Sequence, residues 1–146
     1  FFPLYYNGST KFTPIHCSDL TDTIYHVISK KIQSKIVECV GPEVLSLKEI
    51  LKKLLQLISK NRLLIPLPFF VANLSAQLFQ LFPKPLLTVD QLILLKYDNV
   101  PSNRYQTNSN IGVPSTRMFD QEVEKYCYMW REGGQFSTKK YNSTNS

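Results

Sequence analysis

The residues best equipped for chemistry sit together in "FTPIHCSDL", residues 12–20, where an imidazole, His16, precedes a thiol, Cys17. Such a pair is the raw material of a nucleophile activated by a neighbouring base. The surrounding "STKFTPIHC" alternates in a β-prone way, and adjacent strand residues point to opposite faces. On that reading the two side chains cannot meet, and His16 is a partly buried structural histidine. His16 and His26 have no partner at metal-ligand spacing. Cys17, Cys39 and Cys127 are odd in number and form no CxxC pair. They are expected to be reduced thiols in a cytosol-like compartment, not a disulfide framework or a zinc site. No Tyr stands four residues before a Lys, so that acid–base pair is missing. The five glycines form neither G-x-G-x-x-G nor a phosphate loop. The expectation is that this chain carries no catalytic, cofactor-binding or metal-ligating residue.

The elements that would position these residues read as alternating strands and helices. "YNGS", residues 6–9, is a turn. Ser18 or Asp19 is expected to cap a helix over 20–31. "KIVECV" reads as a short strand closed by Gly41-Pro42. In "SLKEILKKLLQLISK", Ser46 and Glu49 make a capping box that fixes a helix start. Leu47, Ile50, Leu51, Leu54 and Ile58 follow helical spacing and face a core. Lys48, Lys52, Lys53 and Lys60 lie on the other faces. They are a solvated surface or, functionally, a face for anionic lipid or an acidic partner.

Arg62 to Lys84 carries no charge between its basic ends, which raises the question of a membrane span. Pro66 and Pro68 forbid one continuous helix. A short buried strand over 63–66 and an amphipathic helix from about Pro68 to Phe82 fit better. In that helix Asn73, Gln77 and Gln80 form a polar, uncharged stripe opposite a Leu and Phe face. No transmembrane span is expected. Thr88 and Gln91 make a second capping box ahead of a short helix that ends near Asn99 and Pro101.

Four parts are thus expected: a first domain over 1–100, a linker over 101–110, a terminal helical module over 111–136, and a disordered tail over 137–146. Ser115 is the expected cap of the module's helix, which runs to about Trp130 and ends at Gly133-Gly134. With 146 residues and 43% hydrophobic content, the chain suits a globular domain with a real core. Its net charge of +6 favours anionic partners. Basic residues are not interleaved with aromatics, so no nucleic acid is expected. The Asn-x-Ser/Thr triplets at Asn7, Asn73 and Asn142 carry no weight in a reducing compartment. The start at Phe1-Phe2-Pro3 is not a signal peptide and reads as a chain entered midway.

Four blocks carry a resemblance to a known family. "FTPIHCSDLTDTI" resembles the strand–Asp–helix that returns from the cofactor domain in extended short-chain dehydrogenases/reductases. "GPEVLSLKEIL" resembles the helix entry common to that superfamily. "RLLIPLPFFVANLSAQLFQLFPKPLLTVDQLILLKYDNV" resembles, more specifically, the NAD(P)-binding accessory subunit of respiratory complex I and its bacterial homologues. "GVPST" and "REGGQF" resemble that branch's terminal module. The chain departs from the pattern at Thr21 and around Met129, positions that touch packing and not chemistry.

The resemblance implies an α/β fold: the C-terminal portion of a Rossmann-type short-chain dehydrogenase/reductase, helix-rich and lacking the N-terminal βαβ units that hold the dinucleotide. It implies NAD or NADP for the full-length family and none bound by this chain alone. The implied partners are respiratory complex I or another membrane-bound protein, and the missing N-terminal half of the fold. The implied place is cytoplasmic and peripheral on the inner face of the inner membrane. The expected function is a fragment of a complex I-associated protein with a structural or assembly role. The alternative is part of an NAD-dependent epimerase- or reductase-like enzyme acting on a sugar or a quinone precursor.

Overall fold

The computed structural model describes residues 2–67 and 89–131. The described chain is mixed α/β. Strand β1, Phe2–Tyr5, pairs in parallel with β5, Leu64–Leu67, with Phe2 opposite Leu64 and Tyr5 opposite Leu67. Strand β2, Lys11–Phe12, pairs antiparallel with β4, Leu45–Ser46. Strand β3, Val37–Glu38, pairs in parallel with β6, Gln106–Thr107. The helices are α1, Cys17–Ser29; α2, Leu47–Leu57; α3, Val89–Leu94; and α4, Phe119–Cys127. A 3-10 turn over Tyr128–Trp130 continues α4.

Parallel partners cannot be joined by a tight turn and need a crossover. Here α1 and α2 both lie between β1 and β5 in the chain, which is how that pairing is reached. The turn after β1 is a short 3-10 segment, Tyr6–Gly8, with Asn7 at φ 56. At Gly8, where φ is +66, a Cβ would stand 2.7 Å from Leu4 Cδ1 and 2.9 Å from Lys48 Cβ. Only glycine lets this turn seat Leu4 beneath the start of α2. Leu4, Leu45 and Leu92 are the buried aliphatic residues of the described core, and Cys127 joins them from the end of α4. Thr10 is buried with them and donates its hydroxyl to the Leu95 carbonyl, tying β2 to the end of α3.

Two helix starts differ from expectation. The cap of α1 is neither Ser18 nor Asp19. It is His16, whose Nδ1 accepts from the Ser18 N–H at 3.2 Å, so the helix begins three residues early. Strand β2 accordingly stops at Phe12, well before His16. The cap of α2 is Ser46 with Glu49, as the spacing predicts: Ser46 Oγ accepts from the Glu49 N–H at 3.2 Å, and the Glu49 carboxylate accepts from the Ser46 N–H at 2.7 Å. The leucine face of α2 is half-buried, with none of its residues fully enclosed.

The strand expected over 63–66 is present as β5, shifted by one residue, but it is not deeply buried. Leu63 lies outside it at 72% exposure and Pro66 is exposed. The helix expected from Pro68 to Phe82 and the Thr88 capping box lie outside the described residues, as do Gly133-Gly134 and the tail. The stretch over 101–110, expected to be a linker, contains β6 and the fully buried Asn108. Ser115 stands four residues ahead of α4 and does not cap it. Among the described residues no helix is long and apolar enough to cross a membrane.

Candidate functional site

The described polar residues converge where the start of α1, the loop before β4 and the approach to α4 meet. Asp19 lies in the first turn of α1 and is 4% exposed. Its Oδ2 accepts from the N–H groups of Thr116 and Arg117, each at 3.2 Å. Its Oδ1 takes the Arg117 guanidinium, which also reaches Asp22 at 3.6 Å. The Asp19 hydrogen bond, then the charges of Asp19, Asp22 and Glu122, raise the pKa of the Arg117 side chain further above its ordinary value. Thr23, also buried, donates its hydroxyl to the Asp19 carbonyl at 2.8 Å. Asp19 therefore locks the helix to a segment nearly a hundred residues away.

Asn108 performs the matching role on the other side. At 1% exposure it accepts from the Val40 N–H at 2.9 Å and donates to the Val113 carbonyl at 3.0 Å and to Ser115 Oγ at 2.8 Å. Ser115 passes the link on by donating to the Val40 carbonyl at 2.7 Å. Next along, Gly41 donates its N–H to the Thr13 carbonyl at 3.2 Å. A Cβ there would fall 1.8 Å from the Pro14 carbonyl oxygen, so only glycine allows the loop this close. Glu43 then accepts from the Phe119 N–H at 2.8 Å. Lys53 of α2 reaches Asp120 at 2.6 Å and Glu43 at 3.8 Å. The hydrogen bond to Asp120, supported by both carboxylate charges, raises the Lys53 pKa. Lys53 was expected on an open surface. Asp120 at the start of α4 and Glu43 of the loop before β4 instead flank it.

His16 and Cys17 come closer than a strand would allow, with Sγ and Nε2 3.9 Å apart. Neither residue is in a strand: β2 ends at Phe12, and the helix start brings the two side chains together. Their approach does not make a nucleophile. His16 Nδ1 spends its lone pair on the Ser18 N–H, so the neutral ring carries its proton on Nε2. That N–H faces Glu122 at 3.8 Å. A base for Cys17 would need a free lone pair at the same Nε2. The cap thus selects the tautomer that cannot accept the thiol proton. The hydrogen bond and charge of Lys125, then the charge of Arg117, hold the Glu122 carboxyl below its usual range. Burial pushes the Cys39 thiol up. His26 lies in the last turn of α1, where its backbone carbonyl accepts from Lys30.

Gly8 and Gly41 are held by close packing, and neither opens the start of a helix to a phosphate group. Among the described residues no group of His, Cys, Asp and Glu has metal-binding geometry. Arg117, Asn108 and the Lys53–Asp120 pair had no signature in the sequence. A carboxylate in the first turn of α1 was visible, but not its partner. Thr21 is exposed and returns its hydroxyl to the Cys17 carbonyl at 2.9 Å.

No protein-family model matches the chain, and no curated protein matches it.

Proposed function

We propose that this chain is a structural portion of an NAD(P)-binding, complex I-associated protein of the atypical short-chain reductase type, with a role in assembly. One observation supports this reading most. Three of the blocks that carry the family resemblance touch one another: "FTPIHCSDLTDTI" through Asp19, "GPEVLSLKEIL" through Gly41 and Glu43, and "GVPST" with the residues after it through Ser115 and Arg117. Motifs far apart in the chain that form one joint behave as parts of one subdomain. The parallel pairings of β1 with β5 and β3 with β6 favour the Rossmann-type form of the α/β class. The tautomer of His16 favours a scaffold over chemistry at the one place where a thiol and an imidazole meet.

The proposal places the protein on the cytoplasmic side of the membrane that holds complex I, as a peripheral component. The dinucleotide of the full family would sit on residues other than these. The test uses the endogenous protein, tagged in the organism that makes it. Co-migration with complex I on native gels is expected, together with no measurable heat on titrating this chain with NADH or NADPH. Absence from the complex I band would overturn the assembly role. A micromolar dissociation constant for a dinucleotide would favour the enzyme reading, with a sugar or a quinone precursor as substrate.

A further inference from the structure

Helix α2 shows two flanks of like charge and unlike fate. On one flank Lys53 meets α4, an acidic helix with Asp120 and Glu122 in its first turn. On the other, Lys48 and Lys52 stand one turn apart, both exposed. A groove runs beside them and onto the segment that leaves the helix. Lys48, Lys52, Leu55, Lys60, Arg62 and Leu63 line it. Lys48, Lys52 and Arg62 make no ion pair with any described residue. Leu63, 72% exposed, stands among them.

We infer that this groove is a docking site for an acidic segment of a partner protein, a peptide that carries carboxylates around an apolar anchor. The occupant follows from charge complementarity. The helix already holds a carboxylate-bearing helix on its far flank, through the same side-chain type. An exposed leucine among the cations matches an apolar side chain set between carboxylates. The net charge of +6 adds a general attraction, and the groove concentrates it. The inference does not depend on membership of complex I, since it uses only α2 and the residues after it.

The test uses the full chain and a fluorescein-labelled synthetic peptide of glutamates interrupted by leucines, followed by fluorescence anisotropy at near-physiological salt. The triple variant K48E/K52E/R62E changes exposed groove residues only. A second triple, K30E/K35E/K96E, makes the same change in net charge at exposed positions elsewhere. Circular dichroism checks that both keep their fold. The groove variant is expected to bind the peptide about tenfold more weakly, while the charge-matched control binds as the native chain does. Leu63→Ser is expected to weaken binding with no change in charge. Equal loss in both triples would reduce the effect to net charge and overturn the proposal, as would unchanged binding by Leu63→Ser. Sedimentation with phosphatidylserine/phosphatidylcholine vesicles, lost in the groove variant while no peptide binds, would assign the surface to lipid and also overturn it.

Discussion

Helices α1 and α2 each carry an acid at the third helical position, Asp19 in one and Glu49 in the other. The two acids do opposite things. Glu49 folds back on its own helix and closes a box with Ser46. Asp19 turns away from its helix and takes two backbone N–H groups and a guanidinium from residues 116–117. The faces of the helices differ in the same sense. The residues that α1 buries are polar, Asp19 and Thr23, while Ile24, Tyr25 and Ile28 stand at least half exposed. Helix α2 turns leucines inward to half-burial and is joined by the Lys53 ion pair and at its two ends, where the Leu47 N–H donates to the Thr10 carbonyl and the Leu57 carbonyl accepts from Arg131. One helix buries a side-chain carboxylate against distant chain, while the other keeps its acid in its own cap, turns an apolar stripe inward and bonds distant chain through the backbone of its ends.

The sharpest way to break this contrast is to remove the distant bond. Asp19→Ala leaves two backbone donors and a guanidinium without their acceptor. Hydrogen bonds to a charged group are worth about 1.5–3 kcal/mol, and Arg117 is partly solvated, so a loss of about 2–3 kcal/mol is expected. Chemical denaturation followed by circular dichroism measures it. A loss near zero would mean that water replaces Asp19 at no cost, and that the joint does not hold α1 in place.

The apolar faces are compared by cutting each in the same way. Leu54→Ala removes half-buried surface from α2, and about 1–2 kcal/mol is expected, below the cost of emptying a sealed core. Ile28→Ala on α1, at 69% exposure, is expected to cost under about 0.5 kcal/mol. Lys52→Ala on the open flank of α2 belongs with Ile28. Denaturation midpoints would rank the three, and equal losses for Leu54 and Ile28 would show that the two helices do not differ in how they are held.

The same contrast explains what could be read from the amino-acid order. The box at Ser46 and Glu49 is local: its two residues are three apart, and the geometry follows from that spacing alone. Strands β3 and β5 were legible from short apolar runs bounded by Gly and Pro. Asp19 was also visible as an acid near a helix start, but its partner is an arginine 98 residues on, and no spacing rule links them. Asn108 was less visible still. It lies in "PSNRYQTNSN", where several asparagines look alike, and only the fold selects the one that is buried. The cap of α1 was misplaced for a related reason. His16 has a ring nitrogen that replaces the usual hydroxyl or carboxylate, so the β-prone run before it seemed to continue. Composition and alternation report on local geometry. The joint that carries the proposed function is built from long-range pairs.

The smallest expected effect is a pH dependence, and it isolates the local acid. The side-chain and backbone hydrogen bonds from Ser46 hold the Glu49 carboxyl below its ordinary value of 4.5, with Lys53 and Lys52 assisting by charge. A carboxyl whose pKa is lower in the folded chain than in the unfolded one contributes stability above the unfolded value. That contribution fades as pH falls through the folded value. Glu49→Gln keeps a side chain able to accept from the Ser46 N–H, as capping boxes allow, but removes the titration. The native chain should therefore exceed the variant in stability at neutral pH. The gap should narrow as pH drops below 4.5, where the native carboxylate takes up its proton. Denaturation midpoints of both chains across the acid range measure the gap. A gap constant with pH would mean that the charge of Glu49 adds nothing to its hydrogen bonds, and the box would then rest on Ser46 alone.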